Sequence, residues 1–146
     1  MDLREELVRH YRWLRQYGYN DSHSGNASVR EGNRFWVTPS GACADLLEAR
    51  DLVECGVSGT LGKGASLDGE LHRQVYRRTP QAAAVLHSHG PYTVAVTMDG
   101  KDFVPPDFEG NYYFGQVPVL TEPYERYVEE APLRVAEALS HAPITV

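Results

Sequence analysis

Residues 66–92 read SLDGELHRQVYRRTPQAAAVLHSHGPY. Leu71, Val75 and Tyr76 recur at helical spacing, and Thr79-Pro80 stops the helix. Ala82 to His87 then forms an apolar strand that finishes in His87-Ser88-His89. Residues i and i+2 of a strand share a face, so both imidazoles can reach one metal ion at ~2.0–2.1 Å. The plain alternative is two polar residues at the point where a strand enters a loop. A metal needs further ligands, and the preceding helix offers Asp68 and Glu70 at its start, with His72 one turn in. Carboxylates in that place also serve as ordinary caps and dipole complements.

Outward from this stretch, the chain alternates helices and strands. Leu3, Leu7, Tyr11 and Leu14 mark an N-terminal helix that Asp2 can cap and Gly18 can end. Short strands follow at Ser28–Arg30 and Arg34–Val37, and Gly32-Asn33 between them suits a hairpin. A further strand is expected around Leu52–Cys55, and the glycine-rich loop from Gly56 to Ser66 leads into the helix described above. Downstream, the sequence predicts a helix over Pro91–Met98, a strand over Val117–Leu120 and a helix starting at Pro132 and running to Leu139. Proline suits a first helical position. Pro143 to Val146 reads as the opening of another strand. This order points to one domain over residues 1–146, α/β or α+β, with a mixed sheet.

Composition agrees with a single folded domain. The chain has 146 residues, 42% hydrophobic and 23% charged, near the globular average. No apolar run reaches the ~18 residues of a membrane span, and the charged start MDLREELVRH is unlike a secretory signal. The net charge of −6 comes with no basic tract, which argues against nucleic acid as a partner. Cys43 and Cys55 make no disulfide framework. A soluble cytoplasmic protein is the expectation. His10 and His23 lack supporting spacing, and His141 after a helix fits a dipole complement.

Three small polar loops form a second signal. Ser24-Gly25-Asn26 and Thr38-Pro39-Ser40-Gly41 offer backbone N–H groups with hydroxyl or amide side chains, in the manner of an anion-binding nest. Ser66 adds a hydroxyl just before a helix. Each alone is a plain turn; their company with His-x-His suggests a site.

Taken in order, SGNASVR, VTPSG and the 66–92 stretch resemble the class II aldolase/adducin family, whose familiar enzymes are fuculose-phosphate aldolase and ribulose-phosphate 4-epimerase. The resemblance runs from the first helix to the last residue. It implies a three-layer sandwich with a central, mixed but mostly antiparallel sheet flanked by helices. It also implies a divalent metal ion, zinc in the first instance, held by His87, His89 and the acidic residue four positions before the helix histidine, here Asp68. Aldolases usually carry Glu there, and Asp looks more like the epimerase branch. The family's third histidine would fall just past Val146, so the chain is expected to be incomplete at its C-terminus. The phosphate loops carry over as Gly25, Asn26, Ser40, Gly41 and Ser66, although Leu67 stands where phosphate binders usually have a second serine. The family's tyrosine proton donor falls near Tyr112 and Tyr113, and Tyr113 is taken as the candidate.

The resemblance therefore implies a metal-dependent aldolase that cleaves a small sugar phosphate, such as fuculose 1-phosphate, through a metal-stabilised enediolate. Asp68 would shuttle protons, and the loops would hold the phosphate. An epimerase, dehydratase or decarboxylase of the same family uses related chemistry. A non-catalytic adducin-like interaction domain is the alternative from another class. The family also implies a homotetramer with sites between subunits.

Overall fold

A computed structural model describes residues 2–146. Helix α1, Leu3–Gln16, starts with the Asp2 side chain accepting from the Arg4 N–H at 2.9 Å. It ends as Gly18 adopts φ +77°, with Tyr19 N–H bonding back to the Leu14 carbonyl and Gly18 N–H to that of Arg15. That pair of bonds satisfies carbonyls which the helix end would otherwise orphan. Strands β1, Asn26–Glu31, and β2, Arg34–Val37, form the expected hairpin around Gly32-Asn33, with Glu31 opposite Arg34 and Ser28 opposite Val37. Strand β3 is Val53–Gly56 and β4 is Ala84–His87; the antiparallel sheet has the order β3-β2-β1-β4.

The period of two along β1 and β2 divides the molecule. Ala27, Val29 and Trp36 face α1, where they meet Leu7, Val8, Tyr11 and the loop residues Ala42, Ala44, Leu47 and Leu52. Phe35, Val37 and Cys55 face the other way, onto Tyr76 of helix α2, Gly69–Arg78. Helix α5, Tyr127–Leu139, packs on the outer side of α2 through Ala131 and Ala136 against Leu71 and Val75. The result is the expected layered sandwich: α1 and its loop, the sheet, then α2 backed by α5. Cys43 and Cys55 are both free thiols.

Some elements differ from expectation. Helix α3 is Pro91–Val96, ending two residues before the expected Met98, and a further short helix, α4, spans Phe108–Phe114 where the sequence offers weak formers and a glycine. It is held at its start by the Asp107 carboxylate accepting from Gly110 N–H at 2.7 Å, and stopped by Gly115 at φ +61°. Helix α5 begins five residues before Pro132, after a 3₁₀ turn at Tyr124–Arg126, so Pro132 lies inside the helix and buried. Its missing N–H costs one helical hydrogen bond, which packing of the Ala131–Ala136 face offsets. The segment 117–120 is not a ladder strand. Val117 makes one bridge with Phe103, and Val146 N–H bonds to the Pro118 carbonyl while its own carbonyl accepts from Leu120 N–H. Those last two bonds have the parallel pattern, as a strand–helix–strand crossover through α5 requires.

Candidate active site

Asp68 occupies the N-cap position of α2, yet its side chain makes no capping hydrogen bond. The hydroxyl of Ser66 accepts from the Asp68 N–H at 3.3 Å instead. The carboxylate turns toward the sheet. There Oδ2 accepts from Asn26 Nδ2 at 2.7 Å and from His87 Nδ1 at 3.0 Å, and Oδ1 accepts from the Tyr127 hydroxyl at 3.2 Å. Burial raises the carboxyl pKa, but His87, Asn26 and Tyr127 outweigh it and hold the group at about 2. Burial and the neighbouring Asp68 charge push the Tyr127 hydroxyl up to about 12.

Sheet register brings these groups together. Asn26 on β1 lies directly opposite His87 on β4, both on the α2 face. The turn before β1 is tight, because a Cβ on Gly25 (φ +68°) would sit 2.3 Å from the His87 carbonyl oxygen. Gly25 therefore serves the close approach of loop and strand. Asn20, also buried, accepts from the His89 N–H at 2.9 Å and so anchors the end of the His-Ser-His run.

His87 and His89 stack side by side, ring centres 4.8 Å apart and 28° from parallel. A carboxylate can only accept, so His87 Nδ1 carries the proton it shares with Asp68, and Nε2 is the ring nitrogen left to meet a ligand. Among the described residues, neither ring nitrogen of His89 has a hydrogen-bond partner; the residue is held through its backbone N–H. Burial, then the nearby His87, lowers the His89 pKa and favours its ligand form. This donor set fits a divalent ion at the two imidazoles, with Asp68 behind His87 in the way that carboxylates orient ligating histidines. Among the described residues no group of three histidine, cysteine or acidic side chains converges on one point. Asp68, expected as a direct ligand, has both oxygens engaged in hydrogen bonds. Glu70 faces away, toward Arg73 and Gln74 of its own helix.

Two of the three polar loops converge. Pro39 bridges Ala65, Ser40 N–H bonds to the Gly64 carbonyl and Ser66 N–H to that of Thr38. Among the described residues, the hydroxyl protons of Ser40 and Ser66 and the N–H of Gly41 (φ +72°) stay uncommitted. Asn26, expected at the phosphate, has both ends of its amide engaged: Nδ2 at Asp68, Oδ1 at His72 Nε2, 2.6 Å away. Tyr113 stands on α4, 63% exposed, with ring contacts to Tyr112 and Phe114 of the same helix. The tyrosine beside Asp68 is Tyr127, which the sequence reading missed.

Also missed were Ser28 and Tyr76; His72, read as a possible further ligand and as the marker for Asp68, meets Ser28 and Asn26 instead. The signal was present as Asp68, His72 and Tyr76 at four-residue steps along one stripe of α2. Four helical residues advance about 6 Å and two strand residues about 6.6 Å, so such a stripe can interleave with alternate residues of a strand. Asn26 and Ser28 of β1 are those residues.

Sequence comparison matches residues 5–146 to the Class II Aldolase and Adducin N-terminal domain. The crystal structure of l-fuculose-1-phosphate aldolase from Thermus thermophilus superposes with a TM-score of 0.84 at 37% identity, covering 95% of this chain and 73% of that one. The 3-oxo-tetronate 4-phosphate decarboxylase of Cupriavidus necator is 32% identical over 131 residues, which are 85% of this chain and 59% of that protein. The methylthioribulose-1-phosphate dehydratase of Acidiphilium cryptum is 38% identical over 85 residues, 56% of this chain and 40% of that protein. The chain thus spans little more than half of that decarboxylase, and no helix of its described residues is long and apolar enough to cross a membrane. With the fold, the register that pairs Asn26 with His87 and the match over nearly all its length, the chain belongs to the class II aldolase/adducin family.

Proposed function

We infer that the protein is a metal-dependent lyase acting on a small sugar phosphate, with aldol cleavage of a substrate such as fuculose 1-phosphate as the reaction. The observation that carries this reading is the carboxylate of Asp68. It leaves its own helix uncapped, collects donors from three other elements, and stands against His87 beside His89. His87 and His89 would hold a divalent ion, zinc in the first instance. When bound, that ion supplies a Lewis acid for the negative charge that builds on substrate oxygen.

The chain's own residues do the rest. Asp68 takes the hydroxyl proton from the carbon beyond the scissile bond; that carbon becomes the aldehyde, and the bond's electron pair passes to the carbonyl half. The hydroxyls of Ser40 and Ser66 with Gly41 N–H hold the phosphate, fixing the reacting carbons relative to Asp68. Tyr113 would return a proton from a neighbouring copy in a homotetramer, since α4 presents it outward with Phe108 and Tyr112.

A decarboxylase among the relatives supports a second reading on the same groups. Loss of carbon dioxide from a phosphorylated 3-oxo acid leaves the same kind of electron pair beside a carbonyl.

The test is turnover of fuculose 1-phosphate by the full-length protein with added divalent metal. Asp68→Asn is expected to lower kcat by about 10²–10⁴, and His87→Ala to remove bound metal on elemental analysis. Wild-type turnover in Asp68→Asn would sink the reading, and carbon dioxide release from a 3-oxo acid phosphate would select the second.

A further inference from the structure

Behind Asp68 lies a run of buried side chains. Tyr76 OH is 2.7 Å from Ser28 Oγ, Ser28 Oγ is 2.6 Å from His72 Nδ1, and His72 Nε2 is 2.6 Å from Asn26 Oδ1. Ser28 and His72 have no exposed surface, and Tyr76 has 1%. With one proton on the His72 ring, a single assignment satisfies these three contacts together with the bond from Asn26 to Asp68. The carboxylate accepts, so Asn26 presents its NH₂ to Asp68 and its oxygen to His72. His72 Nε2 must then carry the ring proton, which leaves Nδ1 as an acceptor for the Ser28 hydroxyl. The oxygen of Ser28 in turn accepts from Tyr76. Every bond donates toward Asp68. Burial lowers the His72 pKa to about 4, so a second ring proton, which would break the run, is disfavoured.

We propose that His72 is a positioning residue for Asp68. Held in one tautomer by Ser28, it anchors the Asn26 oxygen and so keeps the Asn26 NH₂ aimed at the carboxylate. This rests on the function inferred above for Asp68. A side chain with a merely structural role would fill the same space with any tautomer, and its polarity would not matter to the chemistry.

Two substitutions separate the cases. In place of histidine, the amide of Gln falls near the Nε2 position and can still donate to Asn26; that of Asn falls near Nδ1 and meets Ser28 only. Both shorten the side chain and lower thermal stability. The proposal expects His72→Gln to keep kcat within a few-fold of wild type, and His72→Asn to lower it by about ten-fold or more with KM unchanged, the range seen when orienting partners are lost. The substrate is fuculose 1-phosphate with the full-length protein, and rates are taken per folded molecule.

Imidazole nitrogen-15 spectra of the wild-type chain at neutral pH supply a reading free of activity. The expected spectrum shows His72 as the Nε2–H tautomer with a slowly exchanging proton. An Nδ1–H tautomer, or equal kcat in the Gln and Asn variants, overturns the proposal. Loss of effect at Asp68→Asn would instead strike the function on which it rests.

Discussion

Strand β1 presents two chemistries on its two faces. Ala27 and Val29 point into an apolar cluster with Leu7, Val8 and Tyr11, whereas Asn26 and Ser28, their neighbours in sequence, point into a buried polar run ending at Asp68. Both sets are equally buried. Apolar burial is non-directional and scales with area, so the first face tolerates change of shape at the cost of stability. The polar face gains little net free energy per hydrogen bond but loses much when one partner goes, because the other is left unsatisfied out of water. One face holds the sheet to α1. The other fixes where a carboxylate stands.

The largest expected effect on stability comes from the apolar face. Leu7→Ala should cost about 2–5 kcal/mol in urea unfolding, because a 4%-exposed side chain leaves a cavity that only partly collapses. It should leave the His72 tautomer and the turnover per folded molecule unaltered. A changed tautomer in this variant would mean that the two faces are coupled through β1, and the division between them would fail.

The division also explains what could be read in the sequence. Helix α1, the Gly32-Asn33 hairpin and the Ala82–His87 strand follow from local periodicity and turn chemistry, which act over a few residues. His87 was legible for the same reason, at the end of that strand; His89 lies one step past it and stacks on His87 with its N–H held by Asn20. Ser28, His72 and Tyr127 were not, because their meaning lies in contacts made across 44 to 59 residues of chain; the Tyr127 hydroxyl reaches Asp68 only after α5 has packed on α2. Asn26 was assigned to phosphate from its loop, and its engagement with His72 shows only once β1 lies under α2. Pro132 misled for a related reason: local preference places proline at a helix start, while tertiary packing carries α5 through it.

A middle-sized effect is expected from pH. His72 has a folded pKa of about 4 against 6.5 unfolded, so below 6.5 the unfolded chain binds a proton that the folded chain refuses. Its contribution is present in full above pH 6.5 and is lost as pH falls toward 4, to the extent of about 3 kcal/mol. Asp68 adds a loss of the same sign at lower pH, between 3.8 and about 2. Urea midpoints across pH 7 to 4 should fall steeply in wild type and in Leu7→Ala, and distinctly less in His72→Gln. An equal slope in His72→Gln would assign the acid sensitivity to other groups.

The smallest effect tests the comparison within one helix, on adjacent residues. Arg126 and Glu130 pair at 2.8 Å on the exposed side at the start of α5, with the arginine side chain 58% exposed. Tyr127, next in sequence, aims its hydroxyl at Asp68. An exposed pair one helical turn apart gives back most of its Coulomb gain to side-chain entropy and salt screening, so Arg126→Ala should shift stability by no more than about 0.5 kcal/mol and leave kcat alone. Tyr127→Phe removes a single hydrogen bond to a buried carboxylate, at about 1–3 kcal/mol, and that bond is one of three that orient the group. Its stability cost should therefore exceed that of Arg126→Ala, and its effect on kcat should exceed it several-fold. Equal kcat in the two variants would show that Oδ1 of Asp68 needs no partner from α5, and that Asn26 and His87 alone hold the group in place.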